Sequence, residues 1–102
     1  MHNLVSLSGV LRSLQEADIP FVVMGGQAVG AHGASEGSRD LDIYLAAPEV
    51  SVPRLAAWLE RVQAQLRYLP SLSAPVLERG HTVHYDVPFG TASVVRLDVC
   101  TR

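Results

Sequence analysis

The sequence predicts an α/β fold of the α+β kind, with a mixed β-sheet flanked by helices. Two long stretches repeat apolar residues at helical spacing, near the N-terminus and across the middle. Short apolar runs bounded by glycine, proline and small polar residues alternate at strand spacing. The elements follow the order α-β-α-β-α-β-β, which is the pattern of a sheet with helices packed on it.

Leu4, Leu7, Leu11 and Leu14, with Val5 and Val10 alongside, predict an amphipathic first helix ending near Asp18, ahead of Pro20. Phe21 to Met24 (FVVM) is a short buried strand. Gly25 and Gly26 follow at once, and QAVGAHG predicts a short helix closed by Gly33. After the polar turn ASEGS, RDLDIYLA forms the second strand. Leu41, Ile43 and Leu45 lie on one of its faces; Asp40, Asp42 and Tyr44 lie on the other. SVPRLAAWLERVQAQLRYL predicts the longest helix, with Ser51 as N-cap, Pro53 in the first turn and Leu55, Trp58, Leu59, Val62, Leu66 and Leu69 as its apolar stripe. PSLSAPVLERG, with Pro70 and Pro75, is a loop. HTVHYDV and SVVRLDVC are strands joined as a hairpin across PFGTA.

The 102 residues predict one domain, 1–102, or the N-terminal part of a longer protein. A domain of this size buries roughly 65% of its unfolded surface. Apolar residues make up 48% and charged residues 18%, a globular composition. A net charge of −2 provides no basic field for nucleic acid. All eight basic residues are arginine, so a lysine-dependent phosphate loop and Schiff-base chemistry are excluded. The lone Cys100 cannot form an internal disulfide, which fits a reducing, cytoplasmic setting. No apolar run has membrane-spanning length.

The last strand repeats the pattern of the second. Val95, Leu97 and Val99 share one face; Arg96, Asp98 and Cys100 share the other. If the two strands are neighbours, Asp98 faces Asp40 and Asp42. Like charges opposed in a sheet destabilise it and raise each other's pKa unless a cation compensates. Two Mg²⁺ ions, roughly 3.5–4 Å apart, are the natural compensation. Asp40 and Asp42 would hold both, and Asp98 the one that activates the attacking oxygen. The bare backbone of Gly25 and Gly26, ahead of a helix start, lets a phosphate approach closely. A triphosphate cradle beside a two-metal site suits transfer of a nucleoside monophosphate with pyrophosphate leaving.

Gly25–Gly26, then residues 27 to 39, then Asp40-Leu41-Asp42 and a later Leu97-Asp98-Val99 resemble the polymerase-β-like nucleotidyltransferase superfamily. The string FVVMGGQAVGAHG…SRDLDIYL is more similar to its small bacterial branches, the minimal nucleotidyltransferases paired with HEPN-type toxins and the AbiEii-like toxins. The resemblance spans Gly9 to Val99. It implies the nucleotidyltransferase fold and an NTP such as ATP as substrate. Gly25 and Gly26 would hold the β- and γ-phosphates, Asp40 and Asp42 the metals. Asp98 would complete the triad and act as, or orient, the base for the acceptor hydroxyl. The acceptor it implies is a tyrosine of a partner protein in a toxin–antitoxin setting, or an RNA 3′ end; the acidic chain favours protein. Oligomer formation is left open. Relatives carry His-Gly-x-x-Arg-x-Thr-x-Asp across the turn before the first aspartate. Here Ser38 stands at the Thr position and Glu36 at the Arg position, so Arg39 or Arg96 is left to balance the triphosphate.

An inactive nucleotidyltransferase-fold module that neutralises a partner by contact is the rival reading, favoured by Glu36 and the short chain. Taken singly, the residues also have structural explanations. The aspartates could be a solvated strand edge, and the glycine pair a plain corner. His32 could pack its helix, and Tyr44 could either stack on a base or pack. Trp58 and Cys100 read as buried packing residues. His81 and His84 fall on opposite faces of a strand and would need further ligands to bind zinc.

Overall fold

A computed structural model describes residues 7–24, 40–89 and 93–101. Among them lies an α+β fold with a mixed sheet and three helices. The strands are β1 (Phe21–Val23), β2 (Asp40–Leu45), β3 (Gln65–Tyr68), β4 (Val83–Phe89) and β5 (Ser93–Cys100). They are arranged in the order β1-β2-β5-β4-β3. β2 and β5 run parallel, and every other pairing is antiparallel. The helices are α1 (Leu7–Glu16), α2 (Pro48–Arg61) and α3 (Ala74–Glu78).

One face of the sheet supplies the core. Leu41, Ile43 and Leu45 of β2, Val83, Tyr85 and Val87 of β4, and Val95, Leu97 and Val99 of β5 are buried against Val10 and Leu14 of α1, Leu55, Trp58 and Leu59 of α2, and Leu77 of α3. Period-2 alternation in the strands and a stripe at spacings of three and four in the helices produce this packing. Trp58 ties two helices together, its indole Nε1 donating to Ser13 Oγ at 2.8 Å.

Four elements differ from the sequence expectation: β1, expected as buried, leaves Val22 60% exposed, and α2, β3 and α3 have other bounds or types. Helix α2 starts at Pro48, not at Ser51, so Pro53 lies inside the helix. Ser51 is buried within it, and its hydroxyl donates to the Ala47 carbonyl at 3.2 Å. The same helix stops at Arg61 rather than continuing to Leu69. Gln63 takes a left-handed φ of 64°. Its N–H donates to the Glu60 carbonyl at 3.1 Å, and the Ala64 N–H reaches back to the Leu59 carbonyl at 2.8 Å. These two bonds are a Schellman stop, and the chain then turns into the edge strand β3. Residues 74–78, expected as loop, form helix α3. Ser73 Oγ accepts from the Val76 N–H at 3.3 Å, and Pro75 stands in the first turn. A second Schellman pair closes α3, from Gly80 to Leu77 at 2.9 Å and from His81 to Val76 at 3.3 Å. Gly80, at φ 95°, supplies the left-handed residue without a Cβ penalty. The helix expected over 27–33 lies outside the described residues.

Candidate functional site

The other face of the sheet carries the chemistry. None of the described helices packs on it, so the polar members of each alternating strand face outward there. β2 contributes Asp40, Asp42 and Tyr44, all exposed. β5 contributes Arg96 and Asp98, and β4 contributes His84 and Asp86, all half-buried. The parallel register sets Asp40 beside Arg96 and Asp42 directly beside Asp98. Adjacent strands lie about 4.7–4.9 Å apart, which brings the last two carboxyl groups within reach of each other.

That meeting is felt in the titration of Asp42. Its pKa is raised above the ordinary carboxylate value. Partial desolvation is the main cause, followed by a hydrogen bond shared with Asp98 and the negative charges of Asp98 and Asp40; Arg96 pulls the other way. Asp98 is compensated from within the fold. His84 Nδ1 lies 2.6 Å from its Oδ1, and Arg96 Nε donates to the same oxygen at 3.2 Å. A carboxylate only accepts, so Nδ1 is the ring nitrogen that carries the hydrogen in this pair. The bond to Asp98 holds the Arg96 pKa above its usual range.

The constellation continues across the sheet. The antiparallel registers place His84 opposite Asp98 and Tyr68 opposite His84. A single row therefore runs Asp42, Asp98, His84, Tyr68 over four strands. The Tyr68 and His84 rings meet edge to face, with centroids 5.5 Å apart at 80°. Arg67 is the extra residue of a bulge between the Leu66–Tyr85 and Tyr68–His84 pairs. It donates to Asp86 at 2.7 Å, and its guanidinium stands 5.6 Å from the Tyr68 ring centroid.

The expected neighbours, Asp40, Asp42 and Asp98, thus share one face of adjoining strands. Gly25, Gly26, Ser38, Arg39, His32 and Glu36 lie outside the described residues. Tyr44 is on the aspartate face and 38% exposed; Cys100 is on that face too but buried, and Trp58 belongs to the core. His81 precedes β4 and is exposed, away from His84's row. The sequence reading weighs His84 only as half of a zinc pair with His81, and misses Tyr68 and Arg67. Hairpin register carried the signal for His84. A loop over 88–92 pairs His84 with Arg96, whereas strands reaching Phe89 and Ser93 pair it with Asp98.

The donor set is all oxygen, the chemistry that Mg²⁺ prefers, and the charges of Asp98 and Asp40 add to partial desolvation in raising the Asp42 pKa. Among the described residues, however, no three acidic, histidine or cysteine side chains are gathered closely enough to form a metal-holding group. The close element is the Asp42–Asp98 pair, with Asp40 acting on it through its charge. No family model, curated protein or solved structure matches this chain.

Proposed function

We propose that the chain is a metal-dependent nucleotidyltransferase with the polymerase-β-like fold, moving NMP from an NTP such as ATP to a hydroxyl of a partner protein or an RNA. The observation that supports this reading most is the direct pairing of Asp42 with Asp98 in parallel neighbouring strands, with Asp40 two residues away on the same face. Asp40, Asp42 and Asp98 would hold Mg²⁺, which when bound neutralises the carboxylates and the developing phosphate charge. Asp98 orients the acceptor hydroxyl and takes its proton. The acceptor oxygen bonds to the α-phosphorus, the bond from that phosphorus to the bridging oxygen breaks, and pyrophosphate leaves. Gly25, Gly26, Ser38 and Arg39 would receive the triphosphate. The toxin–antitoxin setting and the cytoplasmic location belong to the same proposal.

The test is transfer of label from an α-labelled NTP, with Mg²⁺, to candidate partner proteins and RNAs. The reading expects transfer by wild type and its loss in Asp42→Asn. Absence of transfer by wild type, or equal transfer by the variant, defeats it.

One observation favours a second reading, an inactive binding module. Asp98 Oδ1 is already satisfied by His84 and Arg96, so the fold balances that charge without a metal. This reading expects a partner to co-purify equally with wild type and with the Asp40→Asn, Asp42→Asn double variant.

A further inference from the structure

The sheet has two outer strands, and they end it differently. β3 is blunted, because a bulge at Arg67 interrupts its ladder and puts a charge on it. β1 reads Phe-Val-Val, runs on into Met24, and carries neither charge nor bulge. Charges and bulges are the devices that keep an outer strand from pairing with another chain. Among the described residues, no strand pairs with the outer side of β1. The Met24 N–H donates to the Asp42 carbonyl at 2.8 Å, and the Ala46 N–H to the Pro20 carbonyl at 3.1 Å. Antiparallel bonding alternates along a strand, so Pro20, Val22 and Met24 bond toward β2. The N–H and C=O groups of Phe21 and Val23 then point outward. Pro20 lacks its N–H on the β2 side, so it does not blunt the outer edge.

Both faces of this edge are apolar. Val22, opposite Tyr44, and Met24, next to Asp42, are exposed on the open face. On the helix face Phe21 and Val23 line a groove of about 520 Å³, with Gln15, Asp18 and Arg54 also in its lining. Arg54 donates to the Asp18 carbonyl at 2.6 Å, so one base lies beside one acid and the groove is balanced in charge.

We propose that β1 pairs antiparallel with β1 of a second copy of this chain, about a two-fold axis at Val22, so that one sheet runs through both molecules. The register follows from the backbone. Phe21 and Val23 both present their groups outward, and the two-fold sets Phe21 of each copy against Val23 of the other. Each such pair exchanges both of its N–H···O=C bonds. Val22 meets its own counterpart as the non-hydrogen-bonded pair, with Cα atoms about 4.5 Å apart and side chains in contact. A second copy is the occupant this edge specifies. Two-fold pairing satisfies the outward groups of both strands, covers Val22 with Val22, and joins two charge-balanced grooves. Neither metal nor nucleotide enters the interface. The paired strands are short, so association is weak and reversible.

The experiment is sedimentation velocity of the full chain from about 1 μM to 1 mM. Wild type is expected to pass from monomer to dimer across that range. Val22→Glu and Val22→Lys each set like charges opposite one another and should raise the dissociation constant about tenfold or more. An equimolar mixture of the two variants should recover the dimer, because the opposed charges then attract. Val22 is exposed, so far-UV dichroism of each variant should match wild type. As a second measurement, Val22→Cys should cross-link in pairs under mild oxidation, since a Cα separation of about 4.5 Å lies within disulfide range. Val94→Cys, exposed on β5, should not, and wild type reports on Cys100 alone. A wild type that stays monomeric throughout overturns the proposal. So does a dimer that neither charge weakens, or Val22→Cys that links no faster than Val94→Cys, because the contact would then lie elsewhere.

Discussion

Asp42 shows at the scale of one residue what the site costs the fold. Its pKa is raised, first by partial desolvation and then by the neighbouring carboxyl groups of Asp98 and Asp40. The folded state therefore binds the Asp42 proton more tightly than the unfolded chain, whose aspartate titrates near 3.8. Below that pH both states are protonated and the repulsion is absent. As pH rises through the raised native value the carboxylate ionises against its neighbours, and stability falls. Asp42→Asn, which keeps the shape and can still bond to Asp98, should be more stable than wild type at neutral pH. Relief of one opposed like-charge pair is about 0.5 kcal/mol, or roughly 2–4 °C in Tm. The gain should shrink toward zero as the pH is lowered through 4, measured by thermal melts of both proteins across pH. Wild type melting above the variant at neutral pH would contradict this. The convergence of the aspartates was legible in the sequence because β2 and β5 share one pattern, an acidic position flanked by buried aliphatic residues. His84 was not, since its partner depends on a hairpin register that a two-residue change in loop length shifts by one pair on the same face.

Elements were legible where apolar period and punctuation agreed. β2, β4 and β5 alternate cleanly, and α1 carries its buried Val10 and Leu14 at a spacing of four. The failure at α2 has a specific cause. Leu66 and Leu69 continue the spacing of Leu59 and Val62, so the stripe extends through the stop. In the structure Leu66 is 38% and Leu69 83% exposed, and the left-handed stop residue is a glutamine, which gives no signal. By contrast α3 has the marks of a helix in its letters, with Ser73, Pro75 and Gly80 at the N-cap, first turn and stop; at five residues it is too short for periodicity to reveal. A left-handed conformation costs a residue with a Cβ about 1 kcal/mol. Gln63→Gly should therefore stabilise the protein by up to about 0.5 kcal/mol, after glycine's greater unfolded freedom is subtracted. Chemical denaturation should show a higher midpoint at unchanged slope; a lower midpoint would mean that Gln63 makes a compensating contact.

At the scale of the molecule, the sheet separates two tasks. One face, covered by α1, α2 and α3, holds the apolar core; the other gathers a row from Asp42 to Tyr68. The strand order places the paired aspartates on β2 and β5, inside the sheet, where neighbours on both sides fix their spacing. Such an arrangement concentrates negative charge where backbone position is least free to relax, and a divalent cation is the counterpart we propose for it. Cation binding to the folded state alone must raise its stability, by about 2.7 kcal/mol at one hundred times the dissociation constant. The most direct measurement is the Tm of wild type and Asp42→Asn in rising MgCl₂ against NaCl of equal ionic strength. A Mg²⁺-specific rise on the order of 10 °C at saturation is expected in wild type, and little or none in the variant. Equal responses in the two proteins, or a wild-type response no greater in MgCl₂ than in NaCl, would contradict it.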